Sequence, residues 1–204
     1  RHDVFFAMPL AEDGLNSGQW RDGLVADKDY NTNDSLSTDI AIYEQTASEI
    51  VNSIMLQIRG MLRDARIHLG KTSKIEISHH YGLDHFREFG AVIIDVINRE
   101  YCKKLIVQLP RQKHPYHYHK KKEETFQILY GNLQVTKNGN RYFLSPGDLF
   151  LVEPDHWHMF STLDGVVFEE ISTTHYNDDS FYQDERISRR SRESRKTVVP
   201  NWEL

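Results

Sequence analysis

One cysteine, Cys102, stands among 204 residues. No intrachain disulfide can form, and the chain suits a reducing, cytoplasmic setting. Long apolar runs are missing too. The most apolar stretch, residues 91–97, is too short and too interrupted by charge to cross a bilayer, and no secretory leader pattern is present. Nor is there an excess of positive charge. Twenty-five Lys and Arg against 30 Asp and Glu give a net charge of −5, which points to neither a nucleic-acid nor a membrane partner. With 39% hydrophobic and 27% charged residues, the composition is that of a globular protein rather than a disordered one. An initiating methionine is also absent. The chain opens on Arg1 and reads as a segment of a longer protein.

What is present falls into three stretches. Residues 1–40 mix short strand-like runs ("DVFFAMPL", "GLVADKDY") with turn-rich segments. From about residue 41 to 66, Ala47, Ile50, Val51, Ile54, Ile58, Met61, Leu62 and Ala65 recur at spacings of three and four. That is the apolar face of one long helix, expected to pack against a core or a second subunit, with Gly70 as its terminator. From Lys74 the pattern changes to short β-rich runs separated by Gly, Pro, Asn and Asp. Asn138-Gly139 is a strong hairpin signal, and the repeated short strands predict a sandwich or barrel. The end of the chain, "DERISRRSRESRK", is polar and basic, and reads as a solvated or dimer-covering tail.

Two stretches carry the chemistry. In "HPYHYHKKKEETFQILYG", residues 114–131, strand alternation puts His117 and His119 on one side and Tyr118 on the other. Two imidazoles so placed can converge on one metal ion. Glu124 follows five residues after His119 and Gly131 seven after Glu124, giving His-x-His-x4-Glu-x6-Gly. By the same alternation, Glu123 points away from Glu124 to the surface. Lys120, Lys121 and Lys122 read as a solvated rim, one of which could meet an anionic sugar or phosphate. The second stretch, "PGDLFLVEPDHWHMF", residues 146–160, is turn, apolar strand, turn, and then a strand opening on His158.

Together the two blocks resemble the two signature motifs of the cupin superfamily, over residues 103–174. The resemblance implies a mainly β fold, a double-stranded β-helix (jelly-roll) barrel. It also implies metal ligands at His117, His119 and Glu124 from the first motif and His158 from the second. The second block departs from the pattern, with Glu153 where proline is common and Asp155 where glycine is common. Three neutral imidazoles and a carboxylate suit a divalent first-row ion, Zn, Mn, Fe, Co or Ni.

A narrower resemblance covers residues 3–180. The run from "IEISHHYGLDHF" through "HPYHYHKKKEETF" looks like the cupin module at the C-terminus of sialic acid synthase-like proteins, and the first 40 residues like the end of a small β antifreeze-like (SAF) domain. This implies a partial SAF-like segment over 1–42, a linker helix over 43–70, the cupin barrel over 71–176 and a polar tail over 177–204. The synthase's own (β/α)8 barrel is absent, because no βαβ alternation is present. The implied function is a metal-binding module holding a sugar or sugar phosphate, in an expected homodimer. The alternative is a metal-dependent sugar isomerase or epimerase of the D-lyxose isomerase kind, followed by an iron dioxygenase. For an isomerase the proton-moving candidates are Glu124, Glu153, His156 and Lys122. His114 and His156 are expected at the rim or behind the ligands. His79, His80 and His175 are possible further pocket groups.

Overall fold

The computed structural model describes the backbone of residues 32–70 and 73–200 and the side chains from residue 46 onward, leaving out 71–72. The SAF-like reading of residues 1–31 lies outside these. Residues 32–56 fall in one compact unit, and residues from Gln57 onward in another.

Helix α1 spans Thr32–Asp64. It begins some ten residues before the apolar periodicity does, inside the region expected to be an extended SAF-like segment. "NTNDSLSTD", in the part of residues 1–40 expected to be strands and turns, is helical from Thr32. Ala47, Val51, Ile54, Met55, Ile58 and Leu62 are its buried positions, at the spacing of a single face. The helix ends before Gly70. Arg66 adopts the left-handed conformation (φ 57°) and the Ile67 N–H donates to the Leu62 carbonyl at 2.9 Å, closing the last turn.

The second unit is built from two antiparallel sheets. Its strands are β1 (Lys74–His79), β2 (Gly90–Asn98), β3 (Tyr101–Gln108), β4 (His117–Tyr118), β5 (Glu124–Gly131), β6 (Leu133–Lys137), β7 (Asn140–Leu144), β8 (Leu149–Val152), β9 (His158–Ser161), β10 (Val166–Thr173), β11 (Phe181–Tyr182) and β12 (Lys196–Val199). One sheet runs β12-β1-β2-β3-β10-β5-β8 and the other β11-β4-β9-β6-β7. This is the expected jelly roll. The hairpin falls where Asn138-Gly139 placed it: both residues have positive φ (48° and 83°) between β6 and β7.

Alternation along the strands divides the barrel interior in two. Phe126, Ile128, Leu133, Val135, Leu144, Val152, Phe160, Val166 and Phe168 form an apolar core. Phe126, Phe160 and Phe168 meet there with ring centroids 5.1–5.8 Å apart, the edge and tilted geometry aromatic rings prefer. One step of two residues toward the other end, the inward positions become polar. Glu124 precedes Phe126, His158 precedes Phe160, and Glu170 follows Phe168, all buried. The same three strands that make the hydrophobic floor therefore deliver the chemical groups above it.

The basic C-terminal segment is not a solvated tail. β11 pairs with β4 beside the histidines, and β12 pairs with β1 at the edge of the larger sheet. Its anchor is Glu76 on β1, whose carboxylate is buried and meets Lys74 (2.8 Å), Lys196 (2.9 Å) and Arg192 (3.2 Å). Burial alone would raise the Glu76 carboxyl, but Lys196, with Lys74 and Arg192, outweighs it and holds it well below the usual carboxylate range. The stabilisation is therefore present above the ordinary carboxylate pKa and is lost as pH falls below it. No helix of the described residues is long and apolar enough to cross a membrane.

Glu76→Gln is expected to cost roughly 3 kcal/mol in urea unfolding at pH 7, because two part-buried cations lose their counter-charge. It should also flatten the loss of stability between pH 5 and pH 3. A cost below about 1 kcal/mol would reduce Glu76 to an ordinary surface pair.

Candidate metal and sugar site

His117 and His158 are direct partners across β4 and β9, so their side chains emerge side by side from one face of the smaller sheet. His119 lies two residues beyond His117 on the same face. The three buried imidazoles each offer a nitrogen, and these atoms lie within 4.8 Å of one another. Neighbouring ring centroids are 4.1 Å (His117–His158) and 5.1 Å (His117–His119) apart.

Each ring is fixed by the same device. The Nδ1–H of His117 donates to the Pro115 carbonyl (2.9 Å), that of His158 to the His156 carbonyl (3.0 Å), and that of His119 to the Asp179 carbonyl. A carbonyl only accepts, so all three tautomers carry the proton on Nδ1 and leave the Nε2 lone pair free. This is the arrangement metal-binding histidines adopt. Burial first, then the neighbouring imidazoles, pushes His117 well below its ordinary pKa, which keeps it neutral and able to act as a ligand.

Glu124 enters from β5 in the opposite sheet. Its Oε2 lies 3.1 Å from His158 Nε2 and its Oε1 3.5 Å from His119 Nε2. Glu124 Oε2 and His158 Nε2 are nevertheless buried without a hydrogen-bond partner. Two electron-rich atoms orphaned side by side are costly unless a cation joins them. The donor set therefore fits a divalent ion, which His117, His119 and His158, with Glu124 beside them, could hold.

Lys122 is the surprise among the three lysines. Lys120 and Lys121 are exposed, as a rim should be, but Lys122 is buried. Its ammonium sits against the Glu124 carboxylate and 3.0 Å from Glu170 Oε1. Burial would lower it, but Glu124 and Glu170 overcome that and raise it above the usual lysine value. Burial likewise would raise Glu124, and Lys122 with His119 drives it well below the carboxylate range. Both shifts describe a charged pair. The turn that buries Lys122 is held by Asp179, whose buried carboxylate accepts from the backbone N–H groups of Lys120 (3.0 Å), Lys121 (3.1 Å) and Lys122 (3.0 Å).

The cavity above these groups is lined by further residues, among them His80, Lys104, His114, Glu170, His175, Tyr182, Arg192, Arg195 and Lys196. His114 stacks on Phe160 (4.5 Å), and burial, then His158, pushes it down to about 3. It is thus a neutral wall of the pocket. His80 and His175 line the cavity; His79 instead faces Thr197 Oγ1 at 2.9 Å.

Of the proton-moving candidates from the sequence, the structure brings Glu124 and Lys122 to the cavity, but not Glu153 or His156. Glu153 is two-fifths exposed and paired with Lys137 at 2.9 Å. The Nδ1–H of His156 donates to the Pro154 carbonyl at 3.0 Å, and the ring lies outside the lining. His156 lies two residues before His158 but does not share its face, because Asp155 takes a left-handed conformation (φ 61°) just before it and bends the chain. That bend also lets the Asp155 N–H reach the His119 carbonyl at 2.7 Å, so aspartate does glycine's work in this loop. Sequence reasoning missed Glu170. Its signal was faint but real: a charged residue at an inward position of "VVFEEIST", two after Phe168.

Comparison with known proteins agrees with the architecture. Residues 105–168 match the family model of the cupin domain. The barrel has the cupin fold. The chain is 28% identical over 145 residues to a D-lyxose ketol-isomerase of Thermofilum, covering 57% of this chain and 80% of that protein. It is 25% identical over 170 residues to a D-lyxose/D-mannose isomerase of Thermosediminibacter oceani, covering 68% and 93%. Among solved structures, the L-ribose isomerase of Acinetobacter sp. DL28 in complex with L-ribose superposes with a TM-score of 0.58 at 13% identity, covering 69% of this chain and 94% of that one. The L-ribose isomerase of Cellulomonas parahominis with L-psicose gives 0.57 at 15%, with the same coverage.

Asp179→Ala should leave three backbone N–H groups short of their acceptor and cost about 2 kcal/mol. It should also loosen His119, so that nitrogen-detected NMR of the metal-free protein shows mixed tautomers in place of a single Nδ1–H form. A single unchanged tautomer would show that Asp179 does not orient this ring.

Proposed function

We propose that this chain is a metal-dependent sugar isomerase interconverting an aldose and its ketose, with the ion held by His117, His119, His158 and Glu124. The observation that carries the proposal is the group beside the imidazoles. A buried lysine lies between two carboxylates, one at the metal site (Glu124) and one reaching into the cavity (Glu170). The cupin isomerase relatives support this reading over the module of a sialic acid synthase-like protein.

When bound, the divalent ion would supply Lewis-acid polarisation of the sugar's carbonyl and adjacent hydroxyl oxygens. The chain's residues do the rest. Glu170 accepts the proton from the carbon next to the carbonyl and returns it to the former carbonyl carbon, while the hydroxyl proton passes to the other oxygen. Every atom and electron is conserved and no oxidant is needed. Lys122 holds Glu170 in place through their ion pair and presents a donor to the oxygens on which negative charge develops. His114 and Phe160 close the floor against water. The polar lining suits a sugar better than the apolar substrate of an oxygenase.

The test is product analysis by NMR with metal-loaded protein and a panel of aldoses. Ketose should form, vanish after chelation, and return on adding a divalent ion. The double variant His117→Ala, His119→Ala should lose all activity, and Glu170→Gln should lower kcat by about 10²–10⁴-fold, the range for a positioned acid–base group. Full turnover in either variant would rule out the assignment.

A further inference from the structure

Five cationic side chains line the cavity (Lys104, Lys122, Arg192, Arg195 and Lys196), against two anionic ones, Glu124 and Glu170. Four of the cations have carboxylate partners. Lys122 has Glu124 and Glu170; Lys104 lies 3.8 Å from Glu170 and 4.0 Å from Asp95; Arg192 and Lys196 share Glu76. Arg195 has none among the described residues. Its Nε–H donates to the Ser191 carbonyl at 3.2 Å, and its guanidinium lies over the Tyr182 ring, 5.0 Å from the centroid. The same Tyr182 ring lies against His117, with centroids 5.6 Å apart and planes 23° from parallel. A single aromatic ring therefore touches both the metal-site histidine and an arginine without a counter-charge.

Resting on the isomerase reading, we propose that the sugar taken by this pocket carries an oxyanion, a phosphate ester or a carboxylate, at the end remote from its carbonyl, and that Arg195 receives it. The guanidinium fork matches the paired oxygens of either group. A cation in a part-buried cavity gains most from a partner that arrives with the substrate. The local field has the right sign. Glu76 is shared among Lys74, Arg192 and Lys196, which leaves positive charge in excess at this wall. His80 feels it. After burial and His114, Arg195 and Lys196 are what hold its pKa well below the ordinary value. The relatives compared above are named for D-lyxose, D-mannose and L-ribose, all neutral sugars. This chain would differ from them in substrate charge. The positive charge comes from the C-terminal segment, which brings Arg192, Arg195 and Lys196 to the cavity.

The experiment compares kcat/KM of the metal-loaded full chain for three series: neutral aldopentoses and aldohexoses, their terminal phosphates, and the matching uronates. A phosphate or a uronate should exceed its neutral parent at least tenfold, and whichever series does so identifies the oxyanion. Arg195→Gln should cut that ratio at least tenfold, and Arg195→Lys should retain part of it. A purely structural arginine would move both substrates together. In parallel, inorganic phosphate should titrate a single site by calorimetry in the parent protein, and that site should be lost in Arg195→Gln. Should Arg195→Gln not fold, Arg195→Lys gives the same reading through the ratio. A preference for neutral sugars, with a ratio indifferent to Arg195, overturns the proposal while leaving the isomerase standing. If no series turns over, the isomerase reading fails. The phosphate titration then decides alone: Arg195-dependent binding sustains the anion site, and no binding overturns it.

Discussion

The site depends on one contact, the Lys122 ammonium buried between the Glu124 and Glu170 carboxylates. Two carboxylates in one desolvated cavity would otherwise repel each other. The lysine between them offsets that repulsion and leaves one as a candidate ligand and the other as a candidate base. Removing the lysine would change the charge state of the whole centre, whereas losing a rim lysine would change almost nothing. The contact demands a tight turn just after the second histidine, since Lys122 must fold back beneath the strand that begins at Glu124. Asp179 provides that turn by binding three consecutive backbone N–H groups.

The same segment serves the histidines. The carbonyl of Asp179 takes the Nδ1–H of His119, and β11, two residues on, pairs with β4 alongside His117. Residues 179–182 thus fix one wall of the candidate metal site, and residues 192–196 bring basic groups to the cavity. Glu76 ties the latter down from the far edge of the larger sheet. Fold and site are coupled through electrostatics as well as through the apolar core. Phe126, Phe160 and Phe168 hold the strands together, while each strand carries its polar residue two positions away.

Local pattern made much of this legible. The His-x-His spacing and strand alternation placed His117 and His119 on one face, Asn138-Gly139 marked its hairpin, and the two motifs in order pointed to the jelly roll. Residues whose role depends on distant pairing were not legible. Lys122 looked like the third member of a charge run because its burial depends on Asp179, 57 residues later. Glu170 shares the inward face of Phe168 by alternation, but what it meets there, Lys122, is set by the pairing of its strand with β3 and β5. His156 shares the parity of His158 but was displaced by one left-handed residue, Asp155, and Glu153 pairs with Lys137 away from the cavity. The basic C-terminal run had the composition of a solvated tail. The partial burial of Arg192 and Lys196 within it follows from Glu76, more than a hundred positions earlier.

In the proposed reaction a proton moves between neighbouring carbons of a sugar in this cavity. The most direct measurement is an isomerisation run in heavy water with metal-loaded protein, followed by NMR. Ketose should accumulate with solvent-derived deuterium on the carbon beside its carbonyl, because the proton that Glu170 takes exchanges with solvent in part of the turnovers before it is delivered. Unaltered aldose in the presence of a bound divalent ion, or ketose carrying no deuterium at all, would contradict it.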